Sequence, residues 1–421
     1  MINFKDRFII TTIILSFIFG IMLGEDSLGG GKHDYLYHVK YFYNFYSNFY
    51  ETFTEYGVKQ NTENIRNSPF YYMIFSQLLH FKINLTGIKI VNLFVLFPLF
   101  YFLNKCLELK FVNISIVVKL YFFSILLLSP TIRTLLSWPY PLIWAITFFV
   151  ISIYFYMRFN YSSHKIKNIK FVYLNIATLA LAAYITPNFC VFSLFFFYKF
   201  YNYFKNSLET LKIVFLNILL AAPAVIFIIT KDFYLFNSNV SEISNATKYN
   251  ISNKIIIINS ILFLFLLPMI SSYSKFKLNI HKFKLNCSKI FCLIIFFITN
   301  IFFFNYFGKN IGGGIFFHLS NYILGNSFLV IFIFALSLIM FDYLKLYNLD
   351  NLILYLVLIL YNLQYEIYYK YFDPLILLII FFLMKLDFNN IPKLEILVKR
   401  YIILYSVFLV INLSKGFLRY Y

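Results

Sequence analysis

Runs of apolar residues separated by short polar turns follow one another from residue 8 to residue 413, and this recurrence constrains the fold more than any other feature. Crossing about 30 Å of hydrocarbon as helix takes about 17 to 25 residues. The runs at 8–22, 88–104, 111–128, 142–156, 171–186, 191–203, 213–229, 255–270, 290–304, 322–340, 352–365, 375–386 and 401–413 read as spans. They predict an all-α integral membrane protein of about thirteen or fourteen helices in one polytopic domain over 1–421. Residues 69–81 are apolar but short, and read as a helix lying against the membrane. Composition agrees: 61% of residues are hydrophobic and only 13% charged, against about 25% charged in soluble proteins. The excess of Phe, Tyr, Ile, Asn and Lys is equally the signature of AT-rich coding sequence, so no single Phe, Tyr or Asn carries weight alone.

Positive charge sets the orientation, because cytoplasmic loops concentrate Lys and Arg. With Lys5 and Arg7 inside and 69–81 not crossing, alternate loops collect Lys105 and Lys110, Arg158 to Lys170, Lys199 to Lys212, Lys275 to Lys289, Lys345, and Lys385 to Arg400. More than half of the 36 basic residues then lie on one side. A full crossing at 69–81 would invert every later loop and lose the bias. The net charge of +19 is therefore mostly a topology signal; no soluble, aromatic-interleaved basic stretch points to nucleic acid. No small-residue cleavage site follows the first run, which predicts an uncleaved first span with a cytoplasmic N-terminus. Cys106, Cys190, Cys287 and Cys292 lie in or beside apolar segments without ligand spacing, which argues against structural zinc or a disulfide framework.

The external face then receives 24–69, 129–141, 231–254, 308–321 and 366–374. Acids and histidines beside a span are costly near lipid and need a reason. The densest group is in the first of these loops, where Glu25, Asp26, His33, Asp34 and His38 surround Gly29–Gly31. Residues 25–81 thus read as an external loop with interfacial helices, one of them the aromatic stretch 35–53. Glycines let backbone approach a ligand closely. Asp26 and Asp34 suit a general base with its supporting partner, or a divalent metal site. His33 and His38 suit orienting an acid or contacting a phosphate. The structural alternative is a loop whose acids cap the next helix, with Asp34 as N-cap.

Further along, Arg66 precedes Pro69 and Tyr71, where proline marks a helix start. Arg133, the cation of the second external loop, offers a fork of donors that fits phosphate or else snorkels to headgroups. His318 follows a three-glycine turn that is no phosphate-binding P-loop. Lys370 lies among tyrosines that suit an interfacial belt, from which it would reach a lipid phosphate. Lys119 stands out as the mid-span cation. No hydrolase elbow, zinc helix or nucleotide-binding core is present.

The order of these elements resembles the GT-C class of polyprenyl-phosphate-sugar-dependent glycosyltransferases, in particular the bacterial branch related to protein O-mannosyltransferases and aminoarabinose transferases. An acid in the first loop is matched by Asp34 or Asp26, and the family's Pro-Leu-Tyr-Tyr is similar to Pro69-Phe70-Tyr71-Tyr72. Ser129-Pro130 with Arg133 looks like the second external loop, and Tyr369 to Pro374 is similar to the late Arg-Tyr-x-x-Pro. The sequence departs from the pattern in three places: His33 precedes Asp34 where the family has Glu after the acid, the second loop lacks an acid, and Lys370 replaces arginine. The resemblance implies a polyprenyl-phosphate-linked sugar as donor, a glycan or lipid as acceptor, an aspartate base, inversion at the anomeric carbon, and Glu25, His33, His38, Arg66, Tyr71, Arg133, His318 and Lys370 as substrate-binding residues. It also implies a bacterial plasma membrane as location. The rivals are a transporter or flippase for lipid-linked glycans, which would show mid-span ionisable residues and internal symmetry, and an O-antigen-type polymerase.

Overall fold

A computed structural model describes residues 3–56, 68–163, 168–230, 250–270, 287–306, 312–362, 367–386 and 391–419, with backbone alone for 287–289 and 415–419. Arg66, Glu366, Lys165, Lys167, the stretch 231–249 and the lysines of 271–286 lie outside the described residues. The described chain is helical, with no strand among the described residues. It groups into two compact units, Met1–Val240 with Tyr405–Tyr421, and Ser241–Leu404.

Among the described residues four helices are long and apolar enough to cross a membrane: Leu85–Lys110, Pro141–Asn160, Leu208–Thr230 and Ile251–Met269. A fifth is gained if Ile116–Leu128 and Pro130–Ser137, bent by 66°, count as one broken span. Lys170–Ile185, Ile290–Phe302, Phe328–Tyr343 and Leu349–Tyr361 are apolar but shorter.

In the first unit, α1 (Phe4–Met22) leads to the interfacial candidates α2 (Gly31–Ser47), α3 (Phe49–Glu55) and α4 (Pro69–His80). The aromatic stretch expected at 35–53 thus begins earlier and breaks at Asn48, whose side chain caps the next helix at the Glu51 N–H. The run at 88–104 opens as α5 (Leu85–Leu93) and continues as α6 (Leu96–Lys110). Then α7 (Ile116–Leu128) stops where Ser129, extended at φ −61° and ψ 120°, precedes Pro130. A residue before proline is pushed out of the helical region, and proline is at ease in a first turn. The chain therefore restarts at an angle as α8 (Pro130–Ser137), capped by the Ser129 hydroxyl, with every one of its residues buried. A second X-Pro step at Tyr140-Pro141 starts α9 (Pro141–Asn160), followed by α10 (Lys170–Ile185), α11 (Phe192–Phe204) and α12 (Leu208–Thr230).

Polar side chains hold these apolar helices together. Between α9 and α10, the Asn175 amide donates to the Ser152 carbonyl at 2.8 Å, and the Ser152 hydroxyl donates back to the Asn175 carbonyl at 3.2 Å. Asn92 of α5 donates to the Leu135 and Leu136 carbonyls at the end of α8 and accepts from the Trp144 indole at 2.9 Å. Lys119 does not sit mid-span. It lies in the first turn of α7, paired with Glu108 at 2.7 Å.

The second unit contains α13 (Ile251–Leu266), α14 (Cys287–Phe302), α15 (Gly314–Leu319), α16 (Phe328–Tyr343), α17 (Leu349–Tyr361) and α18 (Leu375–Leu378), and α19 (Leu394–Arg419) follows. The run at 322–340 is broken: Tyr322 to Leu324 end the helical stretch that starts at Gly314, Gly325 turns the chain at φ 64°, the Ser320 hydroxyl ties Asn326 and Leu329 into the turn, and α16 starts at Phe328. Asn259 links three helices, donating to the Tyr355 hydroxyl and accepting from Ser337 at 3.2 Å. One end of this unit carries Lys254, Asn362 and the Gly313–Ile367 backbone bond; the other carries the Lys385–Asp350 ion pair and the Arg400–Ile270 contact.

Replacing Asn92 by leucine strands two carbonyls and an indole N–H in an apolar setting, each costing about 1–3 kcal/mol. We expect Asn92→Leu to lower stability by about 2–4 kcal/mol, read as a fall in Tm of the detergent-solubilised protein.

Candidate functional site

The acidic loop after α1 folds back onto α8. Gly24 adopts φ 68°, and the Glu25 N–H returns to the Gly20 carbonyl at 2.8 Å. This reversal points the Glu25 carboxylate at Arg133. The Arg133 Nε donates to both Glu25 oxygens at 2.8 Å and its Nη2 to Oε2 at 2.5 Å. The remaining donors reach the Ser16 carbonyl at 2.7 Å and the Leu127 carbonyl at 3.3 Å, so the guanidinium ties α1, α7 and the loop to α8. Its side chain is 3% exposed. Gly20 is required by this contact, since a Cβ there would overlap both the Glu25 carboxylate and the Arg133 guanidinium.

The next residues are stitched to the same helix. The Ser27 hydroxyl donates to the Pro130 carbonyl at 3.0 Å, and the Leu28 N–H to the Thr134 hydroxyl at 3.1 Å. Asp26 accepts from the N–H groups of Gly29, Gly30, Gly31 and Lys32 at 2.9–3.2 Å. It is therefore the side chain that caps α2: it neutralises orphan donors and faces the positive end of the helix dipole. The N-cap position belongs to Gly30, and Asp34 lies inside the first turn, half-buried.

Asp34 and His38 are four residues apart and so share a face of α2. His38 is buried. Its Nδ1 lies 2.7 Å from the Tyr72 hydroxyl, and its ring meets Tyr140 edge-on at 4.7 Å. Tyr71, buried at the start of α4, packs on Phe75 at 4.3 Å and on Phe42. Burial holds the Tyr71 phenol well above its ordinary range and pushes that of Tyr35 up to about 12. Both therefore stay protonated donors at any physiological pH. His33 is exposed, with its ring edge-on to Tyr37.

Three stretches far apart in sequence thus meet at one end of the first unit: 25–38, Pro69–Tyr72 and 129–140. Arg66 lies outside the described residues. His318 and Lys370 belong to the second unit. His318 is stacked on Tyr322, and the Lys370 ammonium lies over Tyr368 and Tyr371 at 5.6 and 5.8 Å. Sequence reasoning assigned no role to Lys89 and Trp138, whose ammonium and ring lie 4.0 Å apart, or to the buried Lys254 of the second unit. Trp138 had a signal, being one of two tryptophans in the chain; Lys89 had none, since it sits in an apolar run. Among the described residues no three His, Cys, Asp or Glu side chains gather as a metal site.

The Glu25–Arg133 pair supplies the sharpest test of this arrangement. Removing one partner of a buried pair leaves the other uncompensated, at a cost of about 3–5 kcal/mol. We expect that loss for Glu25→Leu in denaturant titrations, and a smaller loss for Glu25→Leu combined with Arg133→Met, so that the double-mutant cycle reports the coupling.

No family model matches the chain, and neither a curated protein nor a solved structure is significantly similar to it.

Proposed function

We propose that the chain is a membrane glycosyltransferase of the GT-C kind. In this reading it crosses the bacterial plasma membrane about thirteen times, with its N-terminus cytoplasmic, and transfers a sugar from a polyprenyl-phosphate donor to a glycan or lipid acceptor at the external face. One observation carries the reading: the acidic first loop, the Pro-Phe-Tyr-Tyr start of α4 and the Ser-Pro-Thr-Ile-Arg start of α8 meet in one place. These are three of the four stretches on which the resemblance rests. They are bridged by His38 to Tyr72, by Ser27 to Pro130 and by Glu25 to Arg133.

The geometry divides the roles of the acids. Glu25 holds Arg133, and Asp26 holds the N-terminus of α2. Asp34, half-buried on the face of α2 that also carries His38, is the carboxylate this reading makes the base. It takes the proton of an acceptor hydroxyl while that oxygen forms a bond to the anomeric carbon. The bond from that carbon to the phosphate oxygen breaks, its electron pair leaves with the polyprenyl phosphate, and the configuration inverts. Cations around the site stabilise the charge on the departing phosphate. His38, one turn along, keeps the Asp34 face of α2 docked on Tyr72 and Tyr140. The reaction consumes no nucleotide, which suits a face where none is available.

A transporter for lipid-linked glycans is the second reading, favoured by Lys254 and Asp373, which lie fully buried in the second unit. Ionisable groups inside membrane helices mark substrate pathways in such proteins.

Wild-type and Asp34→Asn chains in proteoliposomes, supplied with radiolabelled polyprenyl-phosphate hexoses and pentoses, separate these readings. General-base catalysis contributes about 10²–10⁴-fold. We expect transfer to fall within that range in Asp34→Asn, with Tm unchanged. Equal transfer by the variant removes Asp34 from the mechanism. Absence of transfer by the wild type from every donor overturns the enzyme reading.

A further inference from the structure

Lys89 and Lys32 both approach the Trp138 ring, with ammonium groups 4.0 and 5.9 Å from its centroid, and Lys89 also lies 5.4 Å from the Tyr35 ring. Like charges converging on one ring repel each other and call for an anion. Among the described residues neither lysine forms an ion pair. The acids of the adjoining loop are otherwise engaged, Glu25 by Arg133 and Asp26 by four backbone N–H groups.

The same place holds buried donors. The Tyr35 hydroxyl, the Tyr71 hydroxyl and the Trp138 Nε1 have no hydrogen-bond partner, and Tyr35 and Tyr71 are 5% and 2% exposed. The Tyr35 and Trp138 rings are 5.8 Å apart, and Tyr71 is near enough to Tyr35 for their phenols to interact electrostatically. Buried donors without acceptors are costly and call for a ligand with acceptor oxygens. A lysine stacked on tryptophan accounts for the cation but leaves these donors unexplained.

The surroundings select the kind of anion. Lys89 lies in the second turn of the candidate span Leu85–Lys110, near its N-terminal end. Ile90 of α5 and Phe94, which follows that helix, are 52% and 56% exposed, and so offer an apolar path beside the cation. A phosphate with several terminal oxygens on a long hydrocarbon chain satisfies both features.

We propose that Lys89, Lys32, Tyr35, Tyr71 and Trp138 form the site for the phosphate of a polyprenyl phosphate. This rests on the glycosyltransferase reading for the identity of the lipid and names the group that holds its phosphate. Arg133, one of the sequence candidates for that task, is occupied by Glu25.

The test uses full-length protein in a maltoside detergent, which offers no phosphate, with labelled polyprenyl monophosphate as probe, neutral polyprenol as control and inorganic phosphate as competitor. The wild type binds the lipid phosphate saturably and the polyprenol weakly or not at all. Loss of one charge-assisted contact makes Lys89→Gln bind about tenfold or more weakly, while Lys89→Arg retains most of the affinity; Tyr35→Phe weakens binding with Tm unchanged. Equal binding by Lys89→Gln, or equal binding of polyprenol, overturns the site. Inorganic phosphate competing as well as the lipid overturns the assignment of a lipid source. Unchanged binding in a Lys89→Gln chain that still transfers sugar sinks this site alone. Lys89-dependent binding in a wild type that transfers none sinks the enzyme reading alone.

Discussion

The buried pair between Arg133 and Glu25 is the constraint on which the loop end of the first unit depends. An arginine presents five donors in a fixed fork, and here they reach the loop, α1 and the last turn of α7, so that one side chain ties all three to α8. Burying such a cation is costly unless it is both paired and hydrogen-bonded, and this one is. The reversal at Gly24 aims Glu25, and the missing Cβ of Gly20 leaves room for the contact. The pair therefore fixes where the loop lies, and through Asp26 it fixes where α2 begins. The face carrying Asp34 and His38 follows from that start.

Helices in lipid gain little from hydrophobic association, because the tails around them are as apolar as their own side chains. Polar contacts then take on the work of specifying neighbours, each worth about 0.6 to 2 kcal/mol. Asn92, Asn175 and Asn259 serve in this way, each fully buried and each bonded across helices. The Asn-rich composition hid them. Once asparagine is discounted as a product of base composition, nothing in the sequence separates these three from those on the surface.

The elements that follow from periodicity and proline were legible. The helix at Pro69–His80, the stop before Pro130 and the restart at Pro141 all rest on local backbone rules. Helicity throughout and the apolar spans also follow from the sequence, although among the described residues four or five helices meet the length needed to cross. What stayed hidden depends on how the first loop folds back and on contacts between stretches apart in sequence. No local rule says that Glu25 reaches Arg133, or that Asp26 rather than Asp34 caps α2. Arg133 read as an anion binder because its partner lay 108 positions away; Lys89 drew no reading, because only the fold brings it onto Trp138.

The path of the chain can be argued from the pairs at helix ends. In the first unit Asp6 meets Tyr121, and Tyr173 meets Glu209, while Phe70 meets Tyr184 and Phe53 meets Phe227. In the positive-inside scheme the first two pairs fall at the cytoplasmic end and the last two at the external end. In the second unit Lys385 meets Asp350, and Arg400 meets Ile270, at one end, with Lys254 and Asn362 at the other. The scheme assigns those ends alternately as well. Charge placement and helix-end contacts are independent of each other, since one counts Lys and Arg in loops and the other tests which turns touch. A crossing at Pro69–His80 would have put Phe53 and Phe227 on opposite faces, so their 5.7 Å ring contact favours the helix lying along the surface, with Asp34 and α8 on its side.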